Sequence, residues 1–148
     1  MPQDTHPQDS TLRTSRVLPA TPDEVFAAFE NPDKLAIWWG PAGFTNTFAT
    51  FEFTPGGNWI FTMHAPNGAD FANESVFREI VRDSRIVLEH TVVPWFRLTV
   101  SLTPEGQGTL LTWDQEFESP EMADRMRPLA ATANEQVLDR LQALLAGN

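Results

Sequence analysis

The sequence predicts an α+β fold: a curved antiparallel sheet of about seven strands, two short helices after the first strand, and a long C-terminal helix over a cavity. Three observations carry this reading. Apolar residues recur with a helical period between residues 21 and 39 and again from 129 to 145. Between residues 51 and 117 the period drops to two, and turn residues cut the stretch into strand-length segments. No internal repeat or linker interrupts the 148 residues, a length that suits one folding unit.

Residues 1 to 10 are polar, with two prolines, and read as a disordered leader to a domain spanning residues 11 to 148. A short strand is expected from Leu12 to Leu18. Thr21-Pro22-Asp23-Glu24 is a helix start, with a hydroxyl at the N-cap, proline at N1 and a carboxylate at N3 reaching back. Val25, Phe26 and Phe29 form its apolar stripe. Asn31-Pro32 interrupts this helix and restarts a short one from Asp33 to Trp39, anchored by Leu35 and ended by Gly40-Pro41.

Phe51 and Phe53 alternate, Pro55-Gly56-Gly57 turns the chain, and Trp59, Phe61 and Met63 alternate again, which predicts a hairpin. Pro66-Asn67-Gly68 makes the next turn. Further strands are expected from Phe71 to Val81, Arg85 to Val93, Trp95 to Thr103 and Thr109 to Phe117. The final helix starts near Ser119-Pro120. Pro128 should kink or restart it before Leu129 to Leu145, where Val137, Leu138, Leu141, Leu144 and Leu145 make the apolar stripe. A sheet this long must twist and curl, so one helix laid across it leaves part of the hollow unfilled.

Composition narrows the function. Formal net charge is −10, with Lys34 the only lysine and the arginines scattered singly. No basic stripe exists to hold phosphates, so nucleic acid and anionic membranes are poor partners. The absence of cysteine excludes disulfides and thiolate chemistry and suits the cytoplasm. No apolar run reaches the roughly 18 residues of a membrane span, so membrane insertion is not expected. In that setting the sequon-like Asn73-Glu74-Ser75 carries no meaning.

The order of elements is similar to the START-like helix-grip fold of the SRPBCC superfamily. Within it, an ordered set of residues resembles the bacterial family of activator of heat-shock-protein ATPase homologue-like proteins. The set comprises Arg16, Ala20-Thr21-Pro22, Val25-Phe26, Asn31-Pro32, Trp38-Trp39-Gly40-Pro41, Pro55-Gly56-Gly57-Asn58-Trp59 with Phe61 and Met63, Asn67-Gly68, and Phe77-Arg78-Glu79-Ile80. The resemblance covers nearly all of residues 12 to 146. One departure lies in the last helix, where Ala133-Asn134-Glu135-Gln136 stands in place of the Gly-Trp of many members. The resemblance implies the fold and a cavity beneath that helix. For function it implies little, since the superfamily binds ligands as varied as lipids, hormones, polyketides and aromatic acids.

The adjacent indoles of Trp38 and Trp39 cannot point the same way, so one belongs to the core and the other to the cavity. Trp39 is the expected liner, because Gly40-Pro41 frees the space beside it. Asn134 precedes Val137, Leu138 and Leu141 by three, four and seven positions, which sets a carboxamide on the apolar face of the last helix. Buried there, it needs a partner in the sheet or a ligand. His90 alternates with Leu88 and Val92 and is read as a satisfied core histidine or a ligand contact. The candidate lining is therefore Trp38, Trp39, Phe61, Met63, Phe77, His90, Trp113, Asn134, Val137, Leu138 and Leu141. Phe26, Phe29, Phe51 and Phe53 read as core. Asp114-Gln115-Glu116 and Glu118 read as a solvated edge.

Only His6, His64 and His90 occur, none at i, i+4 spacing, so no metal site and no cofactor is expected. No Gly-x-Ser-x-Gly elbow appears, and no catalytic residue is assigned. Three functions stay open. The first is non-catalytic binding of a small apolar or amphipathic molecule, and the second is co-chaperone contact with the ninety-kilodalton heat-shock protein. The third is a cyclase or hydrolase on an aromatic substrate, with His90 or Glu79 as acid or base. A second copy of the chain is a further partner option.

Overall fold

The computed structural model describes residues 9–147. The expected leader falls outside this range except for Asp9 and Ser10. Asp9 pairs with Arg13, and the Ser10 carbonyl accepts from the Phe117 amide at 2.8 Å, so these two residues are tied to the sheet.

In chain order the elements are β1 (Thr11–Leu18), α1 (Pro22–Glu30), α2 (Pro32–Trp38), β2 (Thr45–Phe51), β3 (Asn58–His64), β4 (Asp70–Val81), β5 (Arg85–His90), β6 (Phe96–Glu105), β7 (Gly108–Phe117) and α3 (Pro120–Ala146). The strands form one curved sheet in the order β1-β7-β6-β5-β4-β3-β2, antiparallel throughout. β1 and β2 are therefore opposite edges, and α1 and α2 carry the chain from one to the other. With α3 laid against β1 and β7 and meeting both short helices, this is the expected helix-grip arrangement.

Local chemistry explains the short helices. The Glu24 carboxylate reaches back to the Thr21 amide at 2.9 Å, and the Asn31 side chain accepts from the Asp33 amide at 2.9 Å. α2 starts one residue earlier than expected, at Pro32, and leaves Trp39 as its C-cap.

Two bulges alter the expected alternation. The register of β2 against β3 shifts between Phe48 and Thr50, so Phe48 and Phe51, three apart, share a face and stack at 5.7 Å. β2 resumes its pairing after the bulge and ends at Phe51, with Phe53 beyond it. The register of β4 against β5 shifts between Phe77 and Glu79. The turn from residue 52 to 57 needs glycine at 57, where a Cβ would lie 2.1 Å from the Glu52 carbonyl oxygen.

Two further expectations are corrected. β5 ends at His90 rather than Val93, since the chain turns away before Pro94 to reach β6 at Phe96. Of the two outcomes expected at Pro128, a kink or a restart, the restart does not occur: α3 runs as one helix from Pro120 to Ala146, with the Ser119 hydroxyl accepting from the Met122 amide at 3.1 Å. Pro128 deprives only the Asp124 carbonyl of its helical donor, and both residues are exposed, so water can satisfy that oxygen.

Two buried clusters fill the space between helices and sheet. The larger joins α1, α2 and the second half of α3 to strands β3 to β7. The smaller holds Leu12, Phe117 and Ala123 at the start of α3. Phe96 packs against both. α3 is moored to the β1 edge by Arg16, which donates to Asp139 at 2.6 Å and to Glu135 at 2.9 Å.

Candidate functional site

Where the two clusters meet, the helix presents Ala133 and Asn134 instead of a large apolar side chain, and the sheet presents Asn73, Ser75 and His90. A cavity of about 190 Å³ remains. Its walls come from β3 to β7, from Trp39-Gly40-Pro41 and from α3.

Seven of the expected lining residues meet there: Trp39, Phe61, Met63, His90, Trp113, Asn134 and Val137. Four do not. Trp38 turns to α1, donating its indole N–H to the Ala28 carbonyl at 3.0 Å and meeting Phe29 edge-on at 4.8 Å; it is 0% exposed, against 9% for Trp39. Phe77 packs on Phe51, Phe53 and Trp59. Leu138 and Leu141 sit further along α3 inside the larger cluster, fully buried. The apolar stripe from Asn134 to Leu145 runs about three turns and is longer than the hollow it covers, so its far end is core.

The aromatic wall is continuous. Trp39 contacts Trp59 at 4.9 Å and Trp113 at 5.8 Å, and Trp59 stacks on Phe61 at 4.3 Å. The indole N–H groups of Trp59 and Trp113 are buried without an acceptor among the described residues.

Polar groups lie at two places on the lining. His90 Nδ1 is 2.8 Å from the Pro94 carbonyl, its Nε2 is 2.8 Å from Asn73 Oδ1, and its ring stacks on Phe96 at 4.6 Å. Burial holds the imidazole below its ordinary pKa, against the opposing pull of main-chain hydrogen bonds with Pro94 and Val92. A neutral ring fills one of these contacts as donor, and the second requires the Asn73 carboxamide to turn its N–H₂ toward the ring. Opposite, the Asn134 carboxamide donates to Gln115 Oε1 at 3.0 Å, both residues being buried. Gln115 corrects the solvated-edge reading at one position: it shares the inward phase of Trp113 and Phe117, while Asp114, Glu116 and Glu118 face out as expected.

The mouth is held by Arg140, a residue the sequence did not flag. Its guanidinium donates to the carbonyls of Ile37 (2.5 Å), Trp39 (3.2 Å), Gly40 (2.9 Å), Pro41 (2.9 Å) and Phe44 (2.9 Å). Among the described residues no carboxylate pairs with it, and burial lowers its pKa. Gln136 adds a bond from the Ala42 amide at 3.1 Å. Gly40 has φ +100°, a backbone angle that favours glycine, so the conformation of the loop over the cavity selects it; the nearest atom to a Cβ there, Met63 Cε at 2.8 Å, is the mobile end of its side chain. Main-chain partners leave no pattern of side chains, which is why Arg140 looks like any solvated helix arginine in sequence. Asn73 and Ser75 carried a signal, since they share the phase of Phe77.

A second constellation lies on the opposite face of the sheet. Thr47 Oγ1 is 2.7 Å from His64 Nε2, and His64 Nδ1 is 2.7 Å from Asp70 Oδ1. The order hydroxyl, imidazole, carboxylate is that of a base-activated nucleophile. Thr47 and Asp70 are exposed, and these positions alternate with the cavity-facing Phe61 and Met63, so the relay cannot reach a molecule in the cavity. Glu79, the other acid considered, is half exposed and pairs with Arg85. Among the described residues no group of three or more His, Asp or Glu side chains is placed to hold a metal ion. Among them no helix is long and apolar enough to cross a membrane.

Comparison with known proteins agrees with this architecture. The profile of the family described as activator of Hsp90 ATPase homolog 1-like protein matches residues 19–146. A Nitrosomonas europaea protein superposes with a TM-score of 0.86 at 20% identity, covering 97% of each chain. An Arthrobacter aurescens protein gives 0.89 at 24% identity, covering 98% of this chain and 91% of its own. One from Chromobacterium violaceum gives 0.82 at 29% identity, covering 91% and 96%. No curated protein matches the chain.

Proposed function

Since the chain belongs to the activator of Hsp90 ATPase homolog 1-like family, we propose that it works as members of such folds commonly do, by holding a small molecule. In this reading an apolar or amphipathic ligand sits in the cavity between α3 and the sheet and leaves unchanged. The observation that supports it is the cavity itself: about 190 Å³ walled by Trp39, Phe61, Phe96 and Trp113, with Asn134 and His90 as polar contacts. A site of this kind offers binding area and a few orienting groups. Among the described residues its one titratable group, His90, is engaged with Pro94 and Asn73.

Native mass spectrometry of the protein freshly purified from its host tests the reading. A retained small molecule that displaces an apolar dye supports it. A protein that carries nothing and binds no apolar dye refutes it. The family name carries a second reading, contact with the Hsp90 ATPase, and measuring that ATPase rate with and without the chain tests it.

A further inference from the structure

We infer that the cavity selects an uncharged, ring-sized aromatic molecule whose substituent both donates and accepts hydrogen bonds, such as a carboxamide or a phenol, over carboxylates and long acyl chains. The inference rests on the ligand-binding reading above and deepens it.

Size sets the first limit. A cavity of roughly 150 Å³ lined by apolar side chains accommodates benzene, so about 190 Å³ admits one ring with a small substituent. Acyl chains of ten or more carbons need a longer space.

Charge sets the second. Among the described residues no Lys, Arg, Asp or Glu lines the cavity. At the mouth, α3 spends Arg140 on five main-chain carbonyls, and Arg78 and Arg97, on strands that line the cavity, pair with Glu89 and Glu116. His90 is buried against Phe96. An ionised carboxylate would lose its hydration and find no counter-charge.

The third is hydrogen bonding. Asn134 and Gln115 share a single bond. Whichever way the two carboxamides are turned, the pair keeps one N–H₂ and one carbonyl oxygen free, a donor and an acceptor carried by two residues of the lining. The Ser75 hydroxyl, also buried and on the lining, has no partner among the described residues. Buried groups of this kind gain most from a ligand that satisfies both roles, and they discriminate against an analogue that satisfies neither.

Calorimetric titration at pH 8 with benzamide, benzoate, toluene and decanoate tests this on the wild-type chain and on the double variant Gln115→Leu with Asn134→Leu, which removes both carboxamides together and leaves neither stranded. Benzamide is expected to bind at least tenfold tighter than each of the other three. In the double variant its affinity should fall severalfold toward that of toluene, with toluene unchanged. If the double variant does not fold, Ser75→Ala should lower benzamide affinity severalfold and leave toluene unaffected. Benzoate or decanoate binding as tightly as benzamide, or a benzamide preference that survives both substitutions, overturns the inference while toluene binding keeps the cavity reading intact. Failure of all four to bind overturns both.

Discussion

The Asn134 carboxamide on α3 donates to Gln115 Oε1 on β7 at 3.0 Å, so the one polar residue on the apolar stripe of the last helix is bonded to the sheet it covers. It also lines the cavity. The bond sets the sign of a substitution. Asn134→Leu strands the Gln115 carbonyl in a buried setting, and we expect a stability loss of about 1 to 3 kcal/mol. Adding Gln115→Leu should recover much of it, because a matched apolar pair leaves no orphaned acceptor. Urea unfolding of the two single variants and the double variant measures both terms. A more stable Asn134→Leu would show that the bond contributes nothing.

Trp38 and Trp39 should separate by effect. Trp38→Ala removes a fully buried indole and its bond to the Ala28 carbonyl, at a cost of about 3 to 5 kcal/mol. Trp39→Ala enlarges an existing cavity, so a smaller loss is expected, together with altered dye binding. Equal losses with unchanged dye binding would refute the division.

Arg140→Met should loosen the mouth. Five carbonyls lose a charged donor, and water can reach only some of them, so a loss of about 1 to 3 kcal/mol is expected. Hydrogen exchange gives the local readout. The Ala42 amide, bonded to Gln136, should exchange faster in the variant. Unaltered exchange at Ala42 would show that Gln136 alone holds the loop.

His90 gives stability a pH dependence of known sign. Its folded pKa lies below the ordinary 6.5 because burial disfavours the cation. Between 6.5 and that lower value the unfolded chain binds more protons, so stability falls as pH falls through this window, and the penalty is absent above it. Denaturation midpoints should be level from pH 8 to 7 and decline below 6.5, with a shallower decline in His90→Gln. A midpoint that rises on acidification from pH 7 to 6 only in the wild type would show instead that protonation strengthens the contacts with Pro94 and Asn73.

The fold was legible because local rules agree with the global one. Thr21-Pro22-Asp23-Glu24 starts α1 where its capping chemistry says it should. The alternation of Trp59, Phe61 and Met63 marks β3. The misjudged points are those where one residue changes the phase or the environment. The bulge after Phe48 puts Phe48 and Phe51 on one face, and Pro128 does not restart α3 because it sits where solvent can replace the bond it forgoes.

The site was legible only as a face. Sequence alone determined that Asn134 and Val137 look toward the sheet and that two adjacent indoles must serve different surfaces, because side-chain direction follows from backbone period. Only the tertiary structure decided that Trp39 lines the cavity while Trp38 packs on α1. It also placed Asn73, Ser75 and Gln115 beside His90 and Asn134, and gave Arg140 the carbonyls of a loop about a hundred residues away in sequence. These relationships join strands and helices far apart in the chain, and several run through main-chain oxygens that every residue carries. Their pairing is set by how the elements pack and not by which side chains they bear.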